Sequence, residues 1–211
     1  RRIINRENSP EPVLPKGKPP QLCKGCPHRR AFAVMKKLDC IIAGDIGCYS
    51  LGVLPPFETM DSLISMGSSI TVGLGLRHAL PDAEARRVIS VIGDSTFMHS
   101  GLTGVLDMVY NPPATGHVVV ILDNGTTAMT GMQEHPGTGR KLDHSPANMI
   151  LPEDMARAIG VKNVQVLENP SAFEDVLSDS LDKNELTLIV LRKACTLLAP
   201  KMKKFEESTK E

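Results

Sequence analysis

Apolar and polar positions switch between two periods along most of the chain. "RVISVIGD" (87–94) and "HVVVILDN" (117–124) are apolar runs that stop at a carboxylate or an amide. That is how central strands of a parallel sheet read, being apolar on both faces. "CIIAGDIG" (40–47) is a shorter run of the same kind, ending in another Gly-Asp. "HRRAFAVMKKL" (28–38) puts Ala31, Val34, Met35 and Leu38 on one side, as a helix does. "SSITVGLGLRHAL" (68–80) reads as a helix although Gly73 and Gly75 cost propensity. Close packing of its backbone against the sheet or a ligand would account for both glycines. "LPEDMARAIG" (151–160) has acidic residues in its first turn and Gly160 at its end, a helix with both termini signalled. "VKNVQVLENP", "SAFEDVLSDSLDK" and "ELTLIVLRK" then predict strand, helix and strand. The expected fold is α/β, an open, mainly parallel sheet with helices on both faces.

This domain is expected over 22–199. Before it, 1–21 holds five prolines and reads as a linker or arm; after it, 200–211 is a charged tail. Within it, the segment from Asn124 to about Leu151 is rich in Gly, Thr, His and Pro and has no clear period. Loops of that length are often functional, and Gly131, Gly137 and Gly139 would give a lid its mobility. His135 and His144 in this segment lack zinc-protease spacing, so no metal role is assigned to them.

Composition narrows the class. The 211 residues are 41% hydrophobic and 23% charged, an ordinary globular balance. Zero net charge gives no sign of a general nucleic-acid surface. No apolar run reaches membrane length and no signal peptide is visible. Five cysteines, an odd number, point to a reducing, cytoplasmic setting rather than a disulfide framework. The chain begins at Arg1, as a piece of a longer protein would.

Asp94, in "VIGDSTFMHSGLTGVL" (91–106), stands where a strand ends and a helix begins. Ligands bind at that edge of an α/β sheet, and the helix N-terminus attracts anions. Asp94 therefore either caps the helix or holds a metal ion that shares the site with a phosphate. Asn124 ends the next strong strand, thirty residues on. A carboxylate, an amide oxygen and the carbonyl of Thr126 would give Mg²⁺ the oxygen ligands it takes, phosphate completing the shell.

This arrangement resembles the thiamine-diphosphate motif, with Ser95 where many members carry Gly. "CKGCPHRR", "GDIGCYSLG", "GDSTFMHSGLTGVLD", "LDNGTTAMTGMQEHPGTG" and "RKACTLL" together resemble the cofactor-binding part of the 2-oxoacid:ferredoxin oxidoreductases. Within that family they resemble the C-terminal half of the indolepyruvate ferredoxin oxidoreductase α subunits. The likeness runs from about 22 to 198. It implies thiamine diphosphate held by Gly93, Asp94, Ser95, Asn124, Thr126, Thr127 and Ala128, with Mg²⁺ on Asp94, Asn124 and Thr126. It implies a [4Fe–4S] cluster on Cys23, Cys26, Cys48 and Cys195, whose thiolates suit iron; a structural Cys₄ zinc site or an empty site are the alternatives. Cys40, at the start of an apolar strand, reads as core.

Asp45 and Gly47 are expected to line the diphosphate pocket. Met66, Gly67, Ser68 and Ser69 either face the pyrimidine side of the cofactor, or Met66 is core and the serines cap a helix. His28 is assigned a catalytic role, reaching cofactor or substrate carboxylate; the alternative is a solvent-exposed histidine at a helix start. His99 reads as helix surface or a cofactor-side contact.

The resemblance implies oxidative decarboxylation of an aryl 2-oxoacid such as indolepyruvate, with coenzyme A taking the acyl group and ferredoxin the electrons. The glutamate that activates thiamine would come from a pyrimidine-binding domain or subunit, and a second oxidoreductase subunit is expected. Two rivals remain: a non-oxidative thiamine-dependent 2-oxoacid decarboxylase, and a zinc-stabilised non-catalytic scaffold.

Overall fold

The computed structural model describes residues 20–198 and residue 200. Nearly all of the expected arm and tail, 1–19 and 201–211, lies outside the described residues, as does 199. Six strands form one parallel sheet in the order β2-β1-β3-β4-β6-β5. They are β1 (Ile41–Gly44), β2 (Met60–Leu63), β3 (Val88–Gly93), β4 (His117–Asp123), β5 (Asn163–Leu167) and β6 (Leu186–Arg192). The apolar runs become the central strands: every residue of β3 is buried, as is β4 up to Leu122. The short β2 carries no apolar run and was not foreseen; it is half-buried on the sheet edge beside β1.

The helices are α1 (His28–Lys37), α2 (Ser68–Ala79), the single turns α3 (Asp82–Ala85) and α4 (Asp94–Thr96), α5 (Leu102–Tyr110), α6 (Pro152–Ala158) and α7 (Phe173–Leu181). Alternate residues of the strands feed two cores. Val118, Val120 and Leu122 of β4 meet Phe32 and Met35 of α1 and Phe173 and Leu177 of α7. Val119 and Ile121 meet Ile70 of α2, Val105 and Met108 of α5 and Ala156 of α6. Both faces of the sheet are covered, as a wholly parallel sheet requires.

From β1 the chain runs outward to β2, then returns past β1 to β3. The crevice beyond the carboxyl ends of β1 and β3 is thus a switch point, where open α/β sheets bind ligands. Asp45 follows β1 and Asp94 follows β3. A π-helical turn over Phe97–Gly101 joins α4 to α5 just past Asp94, and such wide turns cluster at functional sites.

Candidate functional site

Asp94 is buried, and its carboxylate reaches beyond its own helix. Oδ1 accepts the Ser95 N–H at 2.9 Å and Oδ2 accepts the Gly125 N–H at 2.8 Å. The ends of β3 and β4 are therefore tied together, which a helix cap alone would not do. Asn124 Oδ1 accepts the Thr126 N–H at 3.1 Å, while its Nδ2 lies 3.4 Å from His28 Nε2. The Ser95 and Thr127 hydroxyls share a hydrogen bond of 2.7 Å. One pocket is lined by Gly47, Met66, Gly93, Asp94, Ser95, Asn124, Thr126, Thr127 and Ala128. Nine of the residues picked from the sequence thus share one concavity.

Asp45, Gly67 and Ser68 stand behind or beside it. Asp45 is fully buried: Oδ1 accepts the N–H groups of Ile46 (2.8 Å) and Gly67 (2.9 Å), and Oδ2 that of Ser69 (3.0 Å). The carboxylate thus holds the first turn of α2 against the end of β1, where it satisfies N–H groups a helix leaves free. Gly67 sits at φ +86° with Ser100 packed where a side chain would begin, so glycine is required there. The Ser68 hydroxyl bonds back to Ser65, donating to its carbonyl at 2.7 Å. Met66 is 45% exposed at the pocket mouth, which removes the reading of it as core. His99 is exposed, a surface residue of the π turn.

Three residues in or beside the pocket carried no signal in the sequence. Tyr49 is buried, donates its hydroxyl to the Ile46 carbonyl at 2.9 Å and lies 3.4 Å from Thr96 Oγ1. Its ring fills the space beside Gly47 and Gly93, and burial pushes its phenol well above the usual range, the hydrogen bond with Thr96 opposing. His135 Nδ1 accepts the Gly137 N–H at 3.2 Å, which leaves Nε2 as the ring nitrogen that bears a hydrogen. That atom lies 3.3 Å from Asp94 Oδ2, out of line for a hydrogen bond. Glu134, next to it, binds Arg140 (3.0 Å) and His144 (2.9 Å) and so gathers the long loop. Only the folded loop brings His135 to Asp94; nothing in the local spacing marks it.

A second pocket is lined by Cys23, Cys26, Cys48 and Cys195 among others. Burial raises the Cys26 thiol, and Cys23, Cys48 and Cys195 raise it further. Cys48 is raised by burial, then by Cys195 and Cys23. Among the described residues no three His, Cys, Asp or Glu side chains converge closely enough to hold a single metal ion. Cys40 is apart, half-buried against the core, its thiol pushed up to about 12 by burial. His28 lines the thiol pocket with only 4% of its surface exposed, which overturns the solvent-exposed alternative. The Cys23–Cys26 turn and Pro27 tuck this first helical residue inward. Burial lowers its pKa to about 4, with Asp94 opposing, so the ring is neutral. The two pockets share Cys48, Asn124 and Ala128 as a common wall.

Residues 45–191 match the family model described as thiamine pyrophosphate enzyme, C-terminal TPP binding domain. Indolepyruvate oxidoreductase subunit IorA of Pyrococcus horikoshii is 40% identical over 195 residues, 85% of this chain and 30% of that one. Its counterpart in Archaeoglobus fulgidus is 39% identical over 188 residues, 86% of this chain and 29% of that one. The chain thus spans about three-tenths of these relatives. Among solved structures, 2-oxoglutarate:ferredoxin oxidoreductase from Magnetococcus marinus superposes with a TM-score of 0.66 at 18% identity, over 84% of this chain and 65% of that one. The 4-hydroxybenzoylformate decarboxylase of Rhodococcus jostii gives 0.58 at 21% identity, over 90% and 37%. At such identities these two likenesses bear on the fold alone.

Proposed function

Because the chain belongs to the thiamine pyrophosphate enzymes through their C-terminal TPP-binding domain, we propose that it is the diphosphate-binding unit, residues 22–199, of an oxidoreductase acting on an aryl 2-oxoacid. That enzyme converts an indolepyruvate-like acid and coenzyme A to acyl-CoA and CO₂, passing two electrons to ferredoxin. The observation that carries the oxidative reading is the wall of Cys48, Asn124 and Ala128 shared by the thiol pocket and the Asp94 pocket. A non-oxidative decarboxylase has no use for four thiols there.

The donors present fit the groups this reading needs. Asp94, Asn124 Oδ1 and the Thr126 carbonyl would hold Mg²⁺ as hard oxygen ligands. The Ser95 and Thr127 hydroxyls would meet the diphosphate, at a helix start that favours anions. Thiamine diphosphate supplies, when bound, the carbon nucleophile and the electron sink for decarboxylation. His28 keeps a neutral ring beside Asn124, where its Nε2 accepts from Nδ2 and leaves Oδ1 turned toward Thr126. Cys23, Cys26, Cys48 and Cys195 suit a polynuclear iron–sulfur cluster better than one zinc ion, because they line a pocket without converging on a point. Ile46, Met66 and Met129 are exposed at the cofactor pocket, a lip that a pyrimidine-binding domain bearing the activating glutamate would cover, with a second subunit completing the enzyme. All five cysteines are free and no described helix is long and apolar enough to cross a membrane, in keeping with a cytoplasmic setting.

The test is anaerobic purification of the complete protein, with iron, sulfide and zinc measured on one sample and thiamine diphosphate binding titrated with Mg²⁺. About four irons and four sulfides per chain, lost in Cys48→Ser, are expected. Zinc instead would leave the thiamine site and refute the cluster. Neither metal after reconstitution would favour the simple decarboxylase.

A further inference from the structure

Two buried groups that face each other, Asp94 Oδ2 and His135 Nε2, lack a full set of partners. A carboxylate offers about four lone-pair positions, two on each oxygen. The Ser95 N–H takes one on Oδ1 at 2.9 Å, and the Gly125 N–H takes one on Oδ2 at 2.8 Å. The Gly125 amide is not given to Asp94 alone, because Asp123 Oδ1 accepts from the same nitrogen at 3.2 Å. Asp123 has a second donor in Arg192, whose Nε stands 2.7 Å from its other oxygen. Asp94 has no such cation, so its Oδ2, sharing one amide with a neighbouring carboxylate, is the oxygen short of a donor.

His135 has the donor to give. Its side chain is only 6% exposed. Nδ1 is occupied by the Gly137 N–H, so the ring hydrogen is on Nε2. Nε2 is buried and makes no hydrogen bond among the described residues. The ring is held in place from behind: a side chain on Gly137 would begin 3.0 Å from its Cε1. The backbone is held as well, the Thr138 amide and hydroxyl both donating to the His135 carbonyl at 2.9 Å. Nε2 and Asp94 Oδ2 are 3.3 Å apart, close to a hydrogen bond in distance and lacking only the angle. A buried donor without an acceptor calls for an explanation, and the acceptor within its reach is the unfilled position on Oδ2.

We propose that His135 is a positioning residue for Asp94: its Nε2–H turns onto Oδ2 when a divalent cation takes the carboxylate. Oδ2 is then filled on both sides, and one lone pair, on Oδ1, is left for the cation. The inference rests on the thiamine diphosphate and Mg²⁺ reading of the Asp94 pocket and adds a residue that does not line that pocket. His135 therefore acts through Asp94. A ligand carboxylate bonded from behind cannot swing away from its cation, which is how outer donors govern metal affinity. Glu134, which gathers Arg140 and His144, is the adjoining residue, so the same ring fastens the long loop to the cation site.

The experiment uses the complete protein with its partner subunits. Calorimetry gives the Mg²⁺ affinity at saturating thiamine diphosphate for wild type, for His135→Phe, which keeps a ring without a donor, and for His135→Gln, which returns an N–H. The Phe variant should bind Mg²⁺ about 10- to 100-fold more weakly, and the Gln variant should recover to within about threefold of wild type. Hydrogen exchange over residues 134–144 should slow in wild type when Mg²⁺ and thiamine diphosphate are added, and should not slow in the Phe variant. A change of less than about threefold in the Phe variant would overturn the inference. So would equal losses in the Phe and Gln variants, because ring packing and not the donor would then be responsible. If the Phe variant does not fold, wild-type exchange decides: no slowing on loading overturns the inference. Wild type that takes up no thiamine diphosphate with Mg²⁺ would overturn the reading of the pocket and this inference with it, whereas normal uptake with an unaffected Phe variant would overturn this inference alone.

Discussion

Asp45→Asn isolates the device that anchors α2 to the end of β1. The carboxylate is fully buried and accepts three backbone N–H groups, from Ile46, Gly67 and Ser69, at 2.8, 2.9 and 3.0 Å. Asparagine keeps the shape but has one acceptor oxygen. If that oxygen stays with Ile46 and Gly67, the new NH₂ faces the Ser69 N–H, donor against donor. A buried donor left without a partner costs about 1–3 kcal/mol, and turning two charge-assisted bonds into neutral ones costs about 1 kcal/mol each. The sum is about 3–5 kcal/mol, which for a domain of this size lowers Tm by roughly 6–20 °C. Scanning calorimetry gives the total, and hydrogen exchange at the Gly67 and Ser69 amides gives the location. A Tm within about 2 °C of wild type, with unchanged protection at those amides, would refute the assignment of Asp45 as the anchor.

Three further outcomes follow from the same geometry. Gly73→Ala should destabilise by about 1–3 kcal/mol, because its Cβ would meet Ser90 Oγ and stand 3.0 Å from the buried His117; Gly75→Ala, with open space around it, should stabilise by about 0.5–1 kcal/mol, and equal signs in urea unfolding would sink both. Burial, then the Arg77 charge, holds His117 well below an ordinary histidine, so below pH 6.5 the unfolded chain gains a proton that the folded one lacks. Stability should therefore fall as pH drops from 6.5, by at most about 1.4 kcal/mol per pH unit from this group, and His117→Gln should flatten that slope in unfolding titrations between pH 7 and 5. Asp94→Asn should weaken thiamine diphosphate binding in the presence of Mg²⁺ by about 100-fold or more, and a change under threefold by calorimetry would remove Asp94 from the ligand set.

The legible parts of the fold were those where one physical demand controls a whole segment. β3, β4 and β6 could be read because a strand covered on both faces must be apolar throughout, and Asp94 and Asn124 stood out as polar groups ending such runs. β2 escaped because an edge strand of four half-buried residues carries no such demand. The two glycines of α2 looked alike in sequence, yet Gly73 packs against Ser90 and His117 while Gly75 faces open space. His135 meets Asp94 only through a loop whose path is set by Glu134, Arg140 and His144, and His28 is buried only because the Cys23–Cys26 turn folds it inward. Such neighbours are products of tertiary structure, with no local period to announce them.

The common wall of Cys48, Asn124 and Ala128 also means that the two pockets are not independent variables. A group seated on one side would fix side chains that line the other, which would link the two occupancies reciprocally. Coupling of this kind typically amounts to about 1–3 kcal/mol, or roughly 5- to 150-fold in affinity. If the two pockets hold the groups proposed above, a preparation that has lost the one on the thiols would show weaker thiamine diphosphate binding although every residue of the Asp94 pocket is intact. Cofactor affinities for this domain have meaning only alongside the metal content of the same sample.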